Sequence, residues 1–340
     1  MRFEECLAEQ LSLHPAMGFQ DIIKLCYQAA YGAEHLLADM EKAKSFLYEE
    51  YDKTEQKNMP LFEEISDEHV RINLSAWKYR KLPIDILFRI FCLSAKKNNE
   101  GDTKVNEYLD LSCRLLKSPD LDAFIEKYRK SGIVPVHHSQ QYRDAENPAY
   151  RVIKKKYTRL LPIIEDAIKT DKIPCVIAID GRAASGKTSL AHDMAEIIDA
   201  GVIHMDDFFL PKELRTEKRL SEAGGNIDYE RFAIEVLPKL SEKNSFSYNT
   251  FSCSKMALDG QRTVESSEYR IVEGVYSLHP YFGDYADVCV FSDVDSLTQI
   301  ERIKNRDGEF FADIFSSKWI PMEENYFSKF NIQERCSISL

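Results

Sequence analysis

Eight consecutive residues, Gly181-Arg182-Ala183-Ala184-Ser185-Gly186-Lys187-Thr188, hold two glycines, a lysine and a hydroxyl at the spacing G-x-x-x-x-G-K-[ST]. Glycines at these places let backbone N–H groups turn inward around a chain of phosphates, and the N-terminus of a following helix adds partial positive charge. The amides of Gly181, Ala183, Ala184, Ser185, Gly186 and Ser189 therefore read as phosphate-binding. Lys187 can reach the β- and γ-phosphates of ATP, and the Thr188 hydroxyl can ligate Mg²⁺. Further on, acids and bases recur where such a loop would need them. Asp206 and Asp207 follow the apolar run Gly201 to Met205. Glu273 ends the run Tyr269 to Val272, and Arg302 and Arg306 stand four apart. A carboxylate at the C-terminal end of a parallel strand points into the ligand crevice, where it can take the proton of an attacking hydroxyl or hold a Mg²⁺ water. Paired guanidiniums can neutralise the charge that develops during phosphoryl transfer.

These residues need a frame. Cys175 to Ile179 is a short apolar run that reads as a buried parallel strand, and Thr188 to Ile198 has apolar residues at helical spacing. Strand, glycine loop and helix is the context that gives the loop motif its meaning. Further strands are expected at 201–205, 248–252, 269–276, 287–291 and 336–340, with helices over 295–306 and 319–327. The pattern predicts an α/β P-loop NTPase domain with an open parallel sheet over residues 171–340.

Residues 1–150 show apolar residues at helical spacing and almost no strand signal, which predicts an all-α helical bundle. A linking helix is expected over 151–170, where Ile153, Tyr157, Leu160, Leu161 and Ile164 fall on one side. Two stretches in the first half carry more polar chemistry than a bundle needs: Tyr27 to His35, and Pro135 to Arg143 with Asn147 to Arg151. They fit a pocket for a small molecule or phosphate, or an irregular packed linker. A metal site from His35, His137 and His138 is disfavoured, because no histidine pair at i, i+4 or cysteine partner accompanies them.

The chain has 340 residues, enough for about two domains. Its net charge of −11 argues against nucleic acid and acidic membranes as partners. The eight cysteines are scattered with no C-x-x-C pair, which fits a reducing cytoplasm. The N-terminus lacks the apolar core of a signal peptide, and the run Ile84 to Leu93 is too short to span a bilayer.

The order of features over about 171–340 resembles the uridine kinase, phosphoribulokinase and bacterial pantothenate kinase group of P-loop kinases. The residues carrying the likeness are Gly181 to Thr188, Met205 to Phe209, Tyr248 to Ser252, Glu273 to Tyr276 and Arg302 to Asp307. The resemblance implies that Asp206 is the catalytic base and that Glu273 is the family's Mg²⁺-orienting acid. It also implies that Arg302 and Arg306 are lid arginines, and that Phe209, Tyr248 and Lys255 lie on the acceptor side. The substrate segment departs from the uridine kinase pattern: Asn249, Cys253 and Lys255 stand in place of an aspartate, a histidine and an arginine. Cysteine and lysine cannot reproduce the hydrogen bonds of imidazole and guanidinium, so the likeness carries phosphoryl transfer but not uridine as acceptor. The expectation is an ATP- and Mg²⁺-dependent kinase for a small-molecule hydroxyl acceptor, with a homo-oligomer left open. The alternative is a nucleotide-gated regulatory protein that uses the P-loop half as a switch.

Overall fold

The computed structural model of the chain describes residues 2–33, 39–95 and 101–340. Two compact units divide it, Met1–Thr158 and Arg159–Leu340. Among the described residues no helix is long and apolar enough to cross a membrane.

The first unit contains helices α1 (Phe3–Leu13), α2 (Phe19–Tyr31), α3 (Met40–Lys53), α4 (Leu74–Tyr79), α5 (Ile84–Ser94), α6 (Gly101–Leu116), α7 (Pro119–Ser131) and α8 (Gln140–Glu146). Leu7, Ile22, Leu25, Cys26, Val105, Leu109, Leu121 and Ile125 interlock as one core from α1, α2, α6 and α7. The unit is not all-α. Strands β1 (Phe62–Glu64), β2 (His69–Asn73) and β3 (Tyr150–Lys154) form an antiparallel sheet in the order β1-β2-β3. In β2, residues 69–72 are all buried, including His69 and Arg71. The run His69-Val70-Arg71-Ile72-Asn73 does alternate polar and apolar residues, but over only five positions, and its polar members His69 and Arg71 are buried with the apolar ones.

The linking helix expected over 151–170 is corrected by the same sheet. Its first part is β3, paired with β2 in the register Asn73↔Tyr150 to His69↔Lys154. A 3₁₀ turn follows over Lys155–Leu160, and the helix, α9, runs only over Leu161–Lys169. Pro162 sits in the first turn of α9. Further inside a helix, proline lacks the N–H for the ladder and clashes with the carbonyl four residues back, so α9 starts where Pro162 is tolerated.

The second unit is built on a five-stranded sheet in the order β10-β9-β4-β8-β5, parallel throughout. The strands are β4 (Cys175–Gly181), β5 (Gly201–His204), β8 (Tyr269–Glu273), β9 (Val288–Ser292) and β10 (Ile338–Ser339). An antiparallel hairpin of β6 (Phe246–Ser252) and β7 (Ala257–Val264) is paired outside this sheet. The helices are α10 (Lys187–Ile198), α11 (Glu217–Leu220), α12 (Tyr229–Glu235), α13 (Ser296–Asp307), α14 (Glu309–Ile314), α15 (Ile320–Phe330) and α16 (Ile332–Arg335). Every residue of β4 is buried. Side chains such as Ile177 and Ile179, both 0% exposed, each stabilise the core by roughly 1.5–3 kcal/mol relative to exposure. From β4 the chain crosses to β5 on one side, while β9 lies on the other. The C-terminal end of β4 is thus the topological switch point, where open α/β sheets place their ligands. This is the P-loop NTPase architecture expected for residues 171–340.

Candidate active site

Backbone geometry makes the loop after β4. Gly181 has φ +135, and a Cβ there would lie 2.1 Å from the Ser292 carbonyl oxygen at the end of β9, so only glycine fits. Ala184 and Gly186 take φ +57 and +97, which turns successive peptide groups inward. Helix α10 then starts at Lys187 with no side chain capping it. The first N–H groups of a helix have no partner inside it. The Ser185 hydroxyl is buried in the loop and has no hydrogen-bond partner among the described residues. Lys187 is buried, and its ammonium donates to the carbonyls of Gly181 (2.8 Å) and Arg182 (2.7 Å). Burial pulls its pKa down, against the pull of Glu323, Asp180, Glu273 and Asp206. Uncapped amides, an orphaned hydroxyl and a lysine folded over one loop fit a phosphate chain.

The acids sit on neighbouring strand ends. In the sheet register Glu273 lies beside Ile179 of β4 and His204 of β5. Its carboxylate accepts from the Thr188 hydroxyl at 3.0 Å and pairs with His204 Nδ1 at 2.5 Å. Gly274, at φ +130, follows it because a Cβ there would press on Met205 at 2.8 Å. Among the described residues no cluster of three metal-ligating side chains forms. One hydroxyl and one carboxylate are, however, what Mg²⁺ takes from a protein when phosphates and waters complete its shell. Thr188 and Glu273 would hold it.

After β5 a 3₁₀ turn, Met205–Phe208, carries two aspartates with opposite fates. Asp207 is buried, and its carboxylate accepts from the Tyr248 hydroxyl (3.0 Å) and from Arg262 Nε (2.9 Å). Asp206 faces solvent, and among the described residues no side-chain hydrogen bond is made to its carboxylate. The surrounding protein mass still excludes enough water to raise its pKa. Glu273 and Asp207 add to that rise, while Lys187 and His204 oppose it.

The remaining sequence candidates divide. Arg302 Nη1 donates to the Ala184 carbonyl at 3.1 Å, so α13 delivers one guanidinium to the loop. Arg306 is exposed and pairs with its neighbour Asp307 at 2.7 Å; it makes no loop contact among the described residues. Tyr248 is a correction. Its ring is 2% exposed and its hydroxyl is engaged by Asp207 and the His204 N–H, so it holds the turn instead of facing an acceptor. Lys255 is a second correction: it projects from the β6–β7 turn, 64% exposed, in an ion pair with Asp259 at 2.7 Å. Phe209 is half-buried with its ring edge-on to Phe251, and its backbone bridges to Ile227. Exposed His137 and buried His138 diverge, and His35 lies outside the described residues.

Several residues at the loop gave no motif signal. Asp180, fully buried, accepts from the N–H groups of Gly181, Tyr276 and Leu278 and from the Tyr326 hydroxyl, tying the turn after β8 to β4. Gln299 donates to the Ala183 carbonyl at 3.1 Å. Glu323 on α15 accepts the Ala183 N–H at 3.0 Å; burial raises its pKa to about 7. Arg182 is gripped by Glu324 and Asp293. Only the glycine spacing could have pointed to these, since each is defined by its contact with the loop.

No family model and no curated protein matches the chain. Solved structures similar to it include two kinases. One is a possible uridine kinase from Bacillus stearothermophilus, with 19% identity over 54% of this chain and 96% of that chain, at a TM-score of 0.42. The other is a candidate fructose transport system kinase from Silicibacter sp. TM1040, with 18% identity over 54% and 97%, at a TM-score of 0.44.

Proposed function

We propose that the second unit is an ATP- and Mg²⁺-dependent kinase that moves the γ-phosphate onto a hydroxyl of a small molecule. The observation that carries this reading is Asp206: an unengaged carboxylate beside Lys187 and Glu273, next to an aspartate whose own carboxylate is fully occupied. A nucleotide switch has no use for such a group, whereas a kinase needs a base for its acceptor. The loop amides and Lys187 hold the phosphates, and Thr188 and Glu273 hold the metal ion. Mg²⁺ held there would neutralise phosphate charge. Asp206 accepts the acceptor's hydroxyl proton as that oxygen bonds to phosphorus and the bond to the ADP oxygen breaks. Its raised pKa moves it toward the range where a general base works best. Arg302, whose guanidinium contacts the loop at the Ala184 carbonyl, would meet charge on the transferred group.

The acceptor belongs to the class of nucleosides, sugar phosphates and pantothenate-like alcohols. ADP release with Mg²⁺, measured across such a panel for the wild type and Lys187→Ala, tests the reading. Acceptor-dependent release that disappears in the variant supports it. A second reading, a nucleotide-gated regulator, is favoured by one contact, the Glu323 carboxylate on a loop amide that a phosphate would otherwise take. ADP release that ignores every acceptor supports that alternative.

A further inference from the structure

The first unit contains a cavity of about 840 Å³, within the size range of small-molecule sites. Arg71 of β2 lines it, although the residue is only 2% exposed. A buried guanidinium is ordinarily paired with a carboxylate. Here its hydrogen-bond partners among the described residues are neutral amides, and the Glu63 carboxylate acts on it only through space. Nε and Nη2 donate to Gln28 Oε1 at 3.2 and 2.9 Å, and Nη1 donates to Gln10 Oε1 at 2.6 Å. The guanidinium also lies 4.7 Å from the centre of the Tyr150 ring, a cation–π contact. These bonds leave part of its donor fork unengaged.

The amides are wired to present oxygen to Arg71. Asp21, fully buried, accepts from Gly18 N (3.0 Å), Ser139 N (3.0 Å), Ser139 Oγ (2.6 Å) and His138 Nδ1 (2.8 Å). Burial pushes the His138 pKa down to about 3, so the ring is neutral. With its proton on Nδ1, His138 accepts a hydrogen bond from the Tyr150 hydroxyl at Nε2, at 2.5 Å. The Tyr150 oxygen then accepts from Gln28 Nε2 at 3.2 Å, which turns the Gln28 carbonyl to Arg71. Residues from α2, β2, β3 and the segment around 138 are thus spent on holding one cation in place. Elsewhere on the cavity wall, His14 bridges Glu63 Oε2 at 3.0 Å and Glu146 Oε2 at 3.4 Å, leaving Glu63 Oε1 able to accept a hydroxyl group.

We infer that this cavity is a binding site for a small hydroxylated organic anion, whose carboxylate or phosphate is seated by Arg71 and whose hydroxyls face Glu63. It absorbs the two polar stretches that the kinase chemistry does not use, through Gln28, His138, Tyr142 and Tyr150.

Calorimetric titration of the full Lys187→Ala chain, with its phosphate loop disabled, keeps this test separate from the kinase reading. The probes are ribose 5-phosphate, gluconate and neutral ribose. At least one anion should bind measurably and ribose should not; which anion binds tells phosphate from carboxylate. Arg71→Gln should weaken the anion at least about tenfold, the scale of one charge-assisted pair. Glu146→Gln, at the cavity rim and outside the Arg71 network, should tighten it about two- to threefold by removing a negative charge. Failure of both anions to bind, or equal affinity in Arg71→Gln, overturns the inference. If Arg71→Gln does not fold, unchanged or weaker anion binding in Glu146→Gln overturns it.

Discussion

The two units build polar centres from opposite materials. In the second, the groups that would meet phosphate are mostly backbone amides on a single loop, and the acids around them come from the ends of adjacent parallel strands. In the first, the polar centre is a relay of side chains, Asp21, His138, Tyr150, Gln28 and Arg71, drawn from distant parts of the chain. A backbone site depends on torsion angles, so Gly181 and Gly186 carry it. A side-chain relay depends on every member being satisfied, because one lost partner strands a buried polar group. Damage to the second unit's site should therefore cost activity, and damage to the first unit's relay should cost stability.

The sharpest way to break that contrast is Asp206→Asn. Turnover should fall by about 10²–10⁴, the range of a lost general base, with ATP affinity within about threefold of wild type. Steady-state kinetics beside nucleotide titration read both. Survival of turnover would place the base elsewhere.

Next in size is Asp21→Ala, which strands His138 Nδ1, Ser139 and the Gly18 N–H. The first unit should lose roughly 3 kcal/mol, a drop in Tm of about 6–12 °C for its own transition in a thermal scan. The second unit's transition should not move. An unchanged first transition would mean that the relay is not cooperative.

Smaller again is Glu323→Gln. It removes a negative charge from a loop amide, so ATP should bind about three- to tenfold more tightly at pH 8. Below pH 6 the gain should vanish, because Glu323, with a pKa near 7, is then protonated in the parent. A pH-independent gain would assign the contact to shape instead of charge.

The mildest test is the sign of each group's pH response. The folded pKa of Glu323 lies above its ordinary 4.5, so its contribution to stability is present below that value and is lost as pH rises through about 7. His138 behaves oppositely. Its folded pKa of about 3 lies below 6.5, so its contribution is present above 6.5 and is lost as pH falls toward 3. Denaturant titrations between pH 4 and 8 should show His138→Gln flattening the acid side of the first transition and Glu323→Gln flattening the neutral side of the second.

The same contrast explains what the sequence could reveal. The glycine loop, its strand and its helix are local and periodic, so the P-loop domain was legible over residues 171–340. Glu273 and Asp206 could be singled out because they end apolar runs, and both lie beside the loop residues Thr188 and Lys187. Tyr248 and Lys255 were misplaced because the likeness supplied a role while packing decided the position. One ring is locked under Asp207, and the lysine sits on an exposed hairpin turn. Strands β2 and β3 were missed because the alternation His69-Val70-Arg71-Ile72-Asn73 spans only five residues, and because the partner of β3 lies some eighty residues away in the chain. The relay in the first unit could be sensed as two polar stretches but not assembled, since its central residue, Arg71, lies in neither.

The fate of the γ-phosphate tests the central claim most directly. The chain would be incubated with Mg²⁺ and ATP labelled in that phosphate, with and without each acceptor, and the products separated. Label appearing on an acceptor, in an amount set by that acceptor and absent with Lys187→Ala, is the predicted result. Label found only as inorganic phosphate, at a rate no acceptor changes, would contradict it.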